Sequence, residues 1–126
     1  MILIFGGAYQ GKLAYVKEKY EMKEQDIFFC EKGKLDMDDS KDVMYGLEHL
    51  IWELVKREIP YEAFIEDKLP GWKNKIIVCE DNSCGVVPID PLLRQYRETQ
   101  GRVLSLLSKN AEKVVRMFCG LESLIK

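Results

Sequence analysis

Residues 1–13, Met1-Ile-Leu-Ile-Phe-Gly-Gly-Ala-Tyr-Gln-Gly-Lys-Leu13, constrain the fold more than any other stretch of the chain. Ile2 to Phe5 is a continuous apolar run, the pattern of a parallel strand covered on both faces. It passes directly into Gly6-x-x-x-x-Gly11-Lys12, which satisfies a phosphate-binding loop up to its last position, where Leu13 stands instead of serine or threonine. From Lys12 to about Tyr20 the residues Leu13, Val16 and Tyr20 recur at helical steps, so the loop falls where a strand turns into a helix. There the segment Gly6, Gly7, Ala8, Tyr9, Gln10, Gly11, Lys12 and Leu13 is read as nucleotide-binding. Backbone N–H groups point at phosphate oxygens, the positive end of the helix favours the anion, and Lys12 reaches the β- and γ-phosphates. Leu13 cannot ligate magnesium. Because that ion bridges the β- and γ-oxygens and neutralises charge as the phosphoryl group leaves, the change weakens catalysis more than binding.

Composition narrows the class. A chain of 126 residues that is 47% hydrophobic and 32% charged fits one domain with one core, spanning 1–126. No apolar run approaches the roughly 18 residues of a membrane span, and the opening run is too short, with no basic stretch before it, for a signal peptide. A cytoplasmic location is expected. With a net charge of −2 and scattered basic residues, the electrostatic footprint of a nucleic-acid binder is absent. Cys30, Cys79, Cys84 and Cys119 form no CxxC pair and have no histidines at zinc spacing, so they read as free thiols, three of them closing apolar runs at the ends of core strands.

Further along, Asp26 to Glu31 reads as a second buried strand, followed by an acidic polar loop to Asp42. Lys41 to Glu58 carries Val43, Leu47, Leu50, Ile51, Leu54 and Val55 at helical spacing and predicts one amphipathic helix stopped by Pro60. Pro70-Gly71 signals a turn, Lys75 to Cys79 a third strand, and Asp90 to Asn110 a long helix with Asp90 as N-cap and Pro91 in its first turn. Lys113 to Cys119 predicts a fourth strand, broken by Gly120, with Leu121 to Lys126 as a short antiparallel partner. Strands alternating with helices imply an α/β fold, a mainly parallel sheet with helices on both faces. Ligands bind beyond the carboxyl ends of such strands, which places Gly6–Lys12, Cys30-Glu31, Glu80-Asp81 and Cys119-Gly120 along one edge.

Asp81-Asn-Ser-Cys-Gly-Val-Val-Pro88, Leu93-Arg-Gln-Tyr-Arg-Glu-Thr-Gln-Gly-Arg-Val103 and Val114 to Lys126, in that order behind the glycine loop, resemble the bifunctional adenosylcobinamide kinase / adenosylcobinamide-phosphate guanylyltransferase family of cobalamin biosynthesis. The resemblance covers residues 1–20 and 75–126, and it implies a P-loop NTPase-like three-layer sandwich. It also implies transfer of the γ-phosphoryl group of GTP or ATP to a corrinoid side-chain hydroxyl, that of adenosylcobinamide, with Mg2+ as cofactor. Lys12 and Asp81 become the candidate catalytic residues and Arg97 a candidate phosphate contact. A strand-end acid such as Glu31 or Glu80/Asp81 is a candidate for the metal.

The departures are chemically pointed. Gln10 and Leu13 replace serines of the family's loop, Asp81 its glutamate, Ser83 a glycine and Leu104 an asparagine. The family's guanylyl-carrying histidine belongs to a segment this chain lacks. His49 reads as a helix-surface or packed residue, which speaks against the guanylyltransferase half. Arg94, Arg97 and Arg102 are either a phosphate-facing group or a solvated helix face; Tyr9 and Tyr96 are candidates to stack a base, while Trp52 and Trp72 are assigned to packing. The rival reading is a catalytically degenerate relative that acts as a binding or interaction protein. The resembling family forms oligomers, and the 41–58 helix offers a homo-oligomer interface.

Overall fold

A computed structural model describes residues 1–82 and 89–126. Its elements are β1 (Ile2–Gly6), α1 (Lys12–Lys19), β2 (Ile27–Phe29), β3 (Val43–Tyr45), α2 (Leu47–Lys56), α3 (Tyr61–Trp72), β4 (Ile76–Glu80), α4 (Pro91–Asn110), β5 (Lys113–Phe118) and β6 (Leu121–Leu124). The strands form one sheet in the order β2-β3-β4-β1-β5-β6. All neighbours are parallel except β6, which folds back antiparallel on β5.

Alternation of side chains along the strands divides the core in two. Leu3, Met44, Ile77, Cys79 and Val114 face Leu47, Leu50 and Ile51 of α2, Ile65 and Trp72 of α3, and Val103 and Leu107 of α4. On the opposite face Ile4, Val43, Ile76, Val78, Val115 and Met117 meet Val16 of α1. This is the α/β sandwich expected from the sequence, with three helices on one face and one on the other.

The long C-terminal helix begins where its punctuation places it. Asp90 Oδ1 accepts from the N–H groups of Leu92 (2.8 Å) and Leu93 (3.4 Å), with Pro91 in the first turn. The antiparallel partner after Gly120 is also present, as β6.

Four expectations need correction. The single helix over Lys41–Glu58 is a strand and a shorter helix, divided at Gly46. Val43–Tyr45 pairs with β2 on one side and β4 on the other, so sheet hydrogen bonding overrides the helical spacing of its apolar residues. Pro70-Gly71 is no turn; it lies in the last turn of α3, held there by burial of Ile65 and Trp72, both 0% exposed. Pro60 stands ahead of α3 as its N-cap, while α2 already stops at Lys56. Lastly, Cys119 is not a core thiol: it is exposed in the β5–β6 turn, at φ 51°, whereas Cys30 and Cys79 are buried as expected.

Ser83, Cys84 and the Gly85-Val-Val-Pro88 motif lie outside the described residues. Among the described residues no helix is long and apolar enough to cross a membrane.

Candidate functional site

The glycine loop sits at the carboxyl end of β1, flanked by β4 and β5. A Cβ on Gly6 would lie 2.5 Å from the Met117 carbonyl oxygen, so the first glycine is dictated by the neighbouring strand. Gly11 takes φ 86°, the left-handed region that glycine enters without strain, and turns the chain into α1. No side chain caps α1 and no acid occupies its first turn, leaving its first N–H groups directed at the loop's mouth. Lys12 is the first residue of that helix. It is only 6% exposed, and its Nζ donates to the Gly7 carbonyl at 2.6 Å.

Gln10 has a structural task. Its side-chain Oε1 accepts from the Cys119 N–H at 2.5 Å and its carbonyl accepts from the Gly120 N–H at 3.2 Å. The Tyr15 hydroxyl donates to Glu122. Loop and α1 are thereby tied to the β5–β6 hairpin. Leu13 is half-buried and packs on the Ile4–Val16 side of the sheet, so the side chain that replaces a metal-ligating hydroxyl is partly a core residue. Tyr9 is fully exposed at φ 58°.

The loop opens on a cavity of about 310 Å³ lined by Ala8 through Leu13 on one side and by Tyr45, Gly46, Glu48, Val78 and Glu80 on the other. One wall therefore carries an ammonium and a helix N-terminus, the other two carboxylates. Glu48, in the first turn of α2, is fixed by the Glu80 N–H, which donates to its Oε1 at 3.0 Å. The charge of this wall is felt by its neighbours. Burial first, then Glu48 and Glu80, raise the Tyr45 phenol; burial, Glu48 and Asp81 keep the Cys79 thiol well above its usual range. The carboxylate of Glu80 is a hard oxygen donor of the kind that suits magnesium, which usually takes one or two carboxylates and fills its octahedron with phosphate oxygens and water. Among the described residues there is no group of three or more metal-ligating side chains.

Glu80 ends β4, the strand adjacent to β1, and Asp81 follows it, with its N–H donating to the Gly6 carbonyl at 2.7 Å. Glu31 is placed elsewhere. It follows β2, three strands from β1, and pairs with Lys34 at 2.9 Å on the exposed surface. Arg97 is half-buried on α4 and is not among the side chains lining the loop cavity. Arg102 pairs with Glu98 at 2.5 Å and lines a cavity beside α3 rather than the loop cavity. The Tyr96 hydroxyl accepts from Asn82 Nδ2 (3.3 Å) and Gln100 Nε2 (3.2 Å), and its ring meets Trp52 edge-on at 5.0 Å. His49 is half-buried, with Nε2 3.7 Å from Glu48 Oε2.

Two residues escaped the sequence reading. Glu48 was hidden inside the helix predicted over 41–58; its signal, an acid two residues past a glycine that ends a strand, is visible only once β3 is known. Gln100 lies on α4 with 0% exposure. Its Nε2 donates to the Glu80 carbonyl at 2.6 Å and its Oε1 accepts from the Asn82 N–H at 2.8 Å, so one side chain clamps the backbone on both sides of Asp81.

A search of curated proteins returns no match. A sequence model of the family described as cobinamide kinase / cobinamide phosphate guanyltransferase matches residues 56–125, more than half of the chain, from the end of α2 through β6. The match begins beyond the glycine loop, so the loop stands on its own geometry, while the strand-end acids Glu80 and Asp81, the Gln100 clamp and the hairpin that Gln10 grips all fall inside it. The chain belongs to the cobinamide kinase / cobinamide phosphate guanyltransferase family.

Proposed function

We propose that the chain binds GTP or ATP in the glycine-loop cavity and transfers the γ-phosphoryl group to a hydroxyl on the side arm of a corrinoid. The observation that carries this reading is the polarity of one cavity: a buried Lys12 and an uncapped α1 on one side, Glu48 and Glu80 on the other. Phosphate oxygens replace the Gly7 carbonyl as partners of Lys12 Nζ, and the N–H groups opening α1 hold the same oxygens. Glu80, with Asp81 beside it, would hold magnesium, which neutralises charge on the leaving phosphate when bound. Asp81, anchored to Gly6, and Gln100 behind it keep that wall in register with the loop. His49, as a half-buried residue packed beside Glu48, gives the guanylyltransferase half no support.

A second reading is favoured by Leu13. Its half-buried side chain serves packing where the chemistry calls for a hydroxyl, which suits a degenerate relative that keeps nucleotide affinity and acts as a binding protein. Titration calorimetry with GTP and ATP separates the two. Binding that magnesium tightens supports the kinase; binding indifferent to magnesium supports the degenerate relative.

A further inference from the structure

Behind the two carboxylates lies a second cavity. It measures about 380 Å³ and is lined by Trp52, Tyr96, Leu93, His49 and Asn82, with Lys32 and Lys56 among the residues at its edge. Glu48 and Glu80 line this cavity and the glycine-loop cavity alike, so the two spaces adjoin at those residues. Its walls are chemically unlike the first. An edge-on Trp52–Tyr96 pair and the 43%-exposed Leu93 give it apolar surface, and Asn82 supplies a side-chain amide. The sequence pattern assigned Trp52 to packing, and its partner Tyr96 has a hydroxyl that accepts from two donors. At the low end of the range for small-molecule sites, the volume suits an arm of a larger molecule better than its body.

Resting on the kinase reading above, we infer that this second cavity seats the hydroxyl-bearing arm of the phosphoryl acceptor and that Glu48 is the catalytic base between acceptor and nucleotide. The arm lies along Trp52, Tyr96 and Leu93, with its hydroxyl directed across Glu48 toward the loop. The acceptor oxygen forms a bond to the γ-phosphorus, the bond from that phosphorus to the β,γ-bridging oxygen breaks, and the nucleoside diphosphate leaves with the electron pair. The hydroxyl proton passes to the Glu48 carboxylate. Glu48 is built for that position: Oε1 is held by the Glu80 N–H, and the side chain is only 12% exposed. Fixing one oxygen leaves the other to take the proton.

The test uses the whole chain and cobinamide as probe, with acceptor binding read by equilibrium dialysis and nucleotide binding read separately by calorimetry. Trp52→Ala is expected to weaken cobinamide binding at least tenfold while nucleotide affinity stays within about twofold, and Trp52→Phe to retain most of it. Glu48→Gln keeps an oxygen for the Glu80 N–H; it should leave both affinities within about twofold and lower turnover by about a hundredfold or more, the range for a lost general base. Cobinamide binding that Trp52→Ala leaves unchanged, or no cobinamide binding in a chain that binds nucleotide, overturns the acceptor site. Turnover untouched by Glu48→Gln overturns the base. Cobinamide binding without nucleotide binding keeps the pocket and removes the kinase reading instead.

Discussion

Replacing Gln100 with leucine tests how the loop's opposite wall is held. Leucine is close to glutamine in volume, so little cavity opens at this fully buried position, and the change reads mainly as lost hydrogen bonds. The Glu80 carbonyl loses a 2.6 Å donor and the Tyr96 hydroxyl a 3.2 Å donor. The Asn82 N–H loses a 2.8 Å acceptor, but Asn82 is exposed and water replaces it. An unsatisfied buried polar group costs about 1–3 kcal/mol, so one full loss and two partial ones predict destabilisation of about 2–4 kcal/mol. Urea unfolding followed by circular dichroism measures it, with an unchanged m-value as the sign that the denatured state is unaltered. Gln100→Glu adds a pH signature. A buried carboxyl has its pKa raised above the unfolded value, so the folded state binds the extra proton and stability falls as pH rises. The variant should therefore lie nearest to wild type at about pH 4, where the neutral acid donates to the Glu80 carbonyl, and fall behind by pH 7. A loss below about 1 kcal/mol for Gln100→Leu, together with a pH-independent Gln100→Glu, would refute the clamp.

Leu13→Ser should make nucleotide affinity at least tenfold more dependent on magnesium in calorimetry, while its half-buried packing is lost at about 1 kcal/mol in urea unfolding. Gly6→Ala drives a methyl into the Met117 carbonyl and should cost about 3 kcal/mol, seen as a depressed thermal midpoint; a midpoint equal to wild type would deny the close approach of β1 and β5. Burial pushes the Cys30 thiol up to about 12, so thiolate is scarce at pH 8. In a Cys84→Ser background, mass spectrometry after brief iodoacetamide treatment should find Cys119 alkylated and Cys30 and Cys79 protected, with equal labelling of all three as the contrary result.

The legible parts of the chain were those whose signals are local. β1 and β4 are uninterrupted apolar runs, and α4 has Asp90 and Pro91 marking its start. The Gly6–Lys12 loop follows from its spacing alone. What escaped depended on partners distant in sequence. Val43–Tyr45 is three residues long and is a strand only because β2 and β4 flank it, and once absorbed into a helix it concealed Glu48. Pro70 argued for a turn where burial of Trp72 sustains a helix. Glu31 was attractive because it follows an apolar strand; the order of strands, which no local pattern states, moved it to the far side of the sheet. Gln100 looked like one polar residue among many on α4, and its value lies in the two backbone groups it meets 18 and 20 residues away.

The most direct measurement is calorimetric titration of GTP and ATP into the wild-type chain and into Lys12→Ala, each with and without magnesium. Saturable binding by the wild type, lost or weakened at least tenfold in Lys12→Ala although that variant remains folded by circular dichroism, is the predicted outcome. Absence of binding at millimolar nucleotide, or equal affinity in the two proteins, would contradict it.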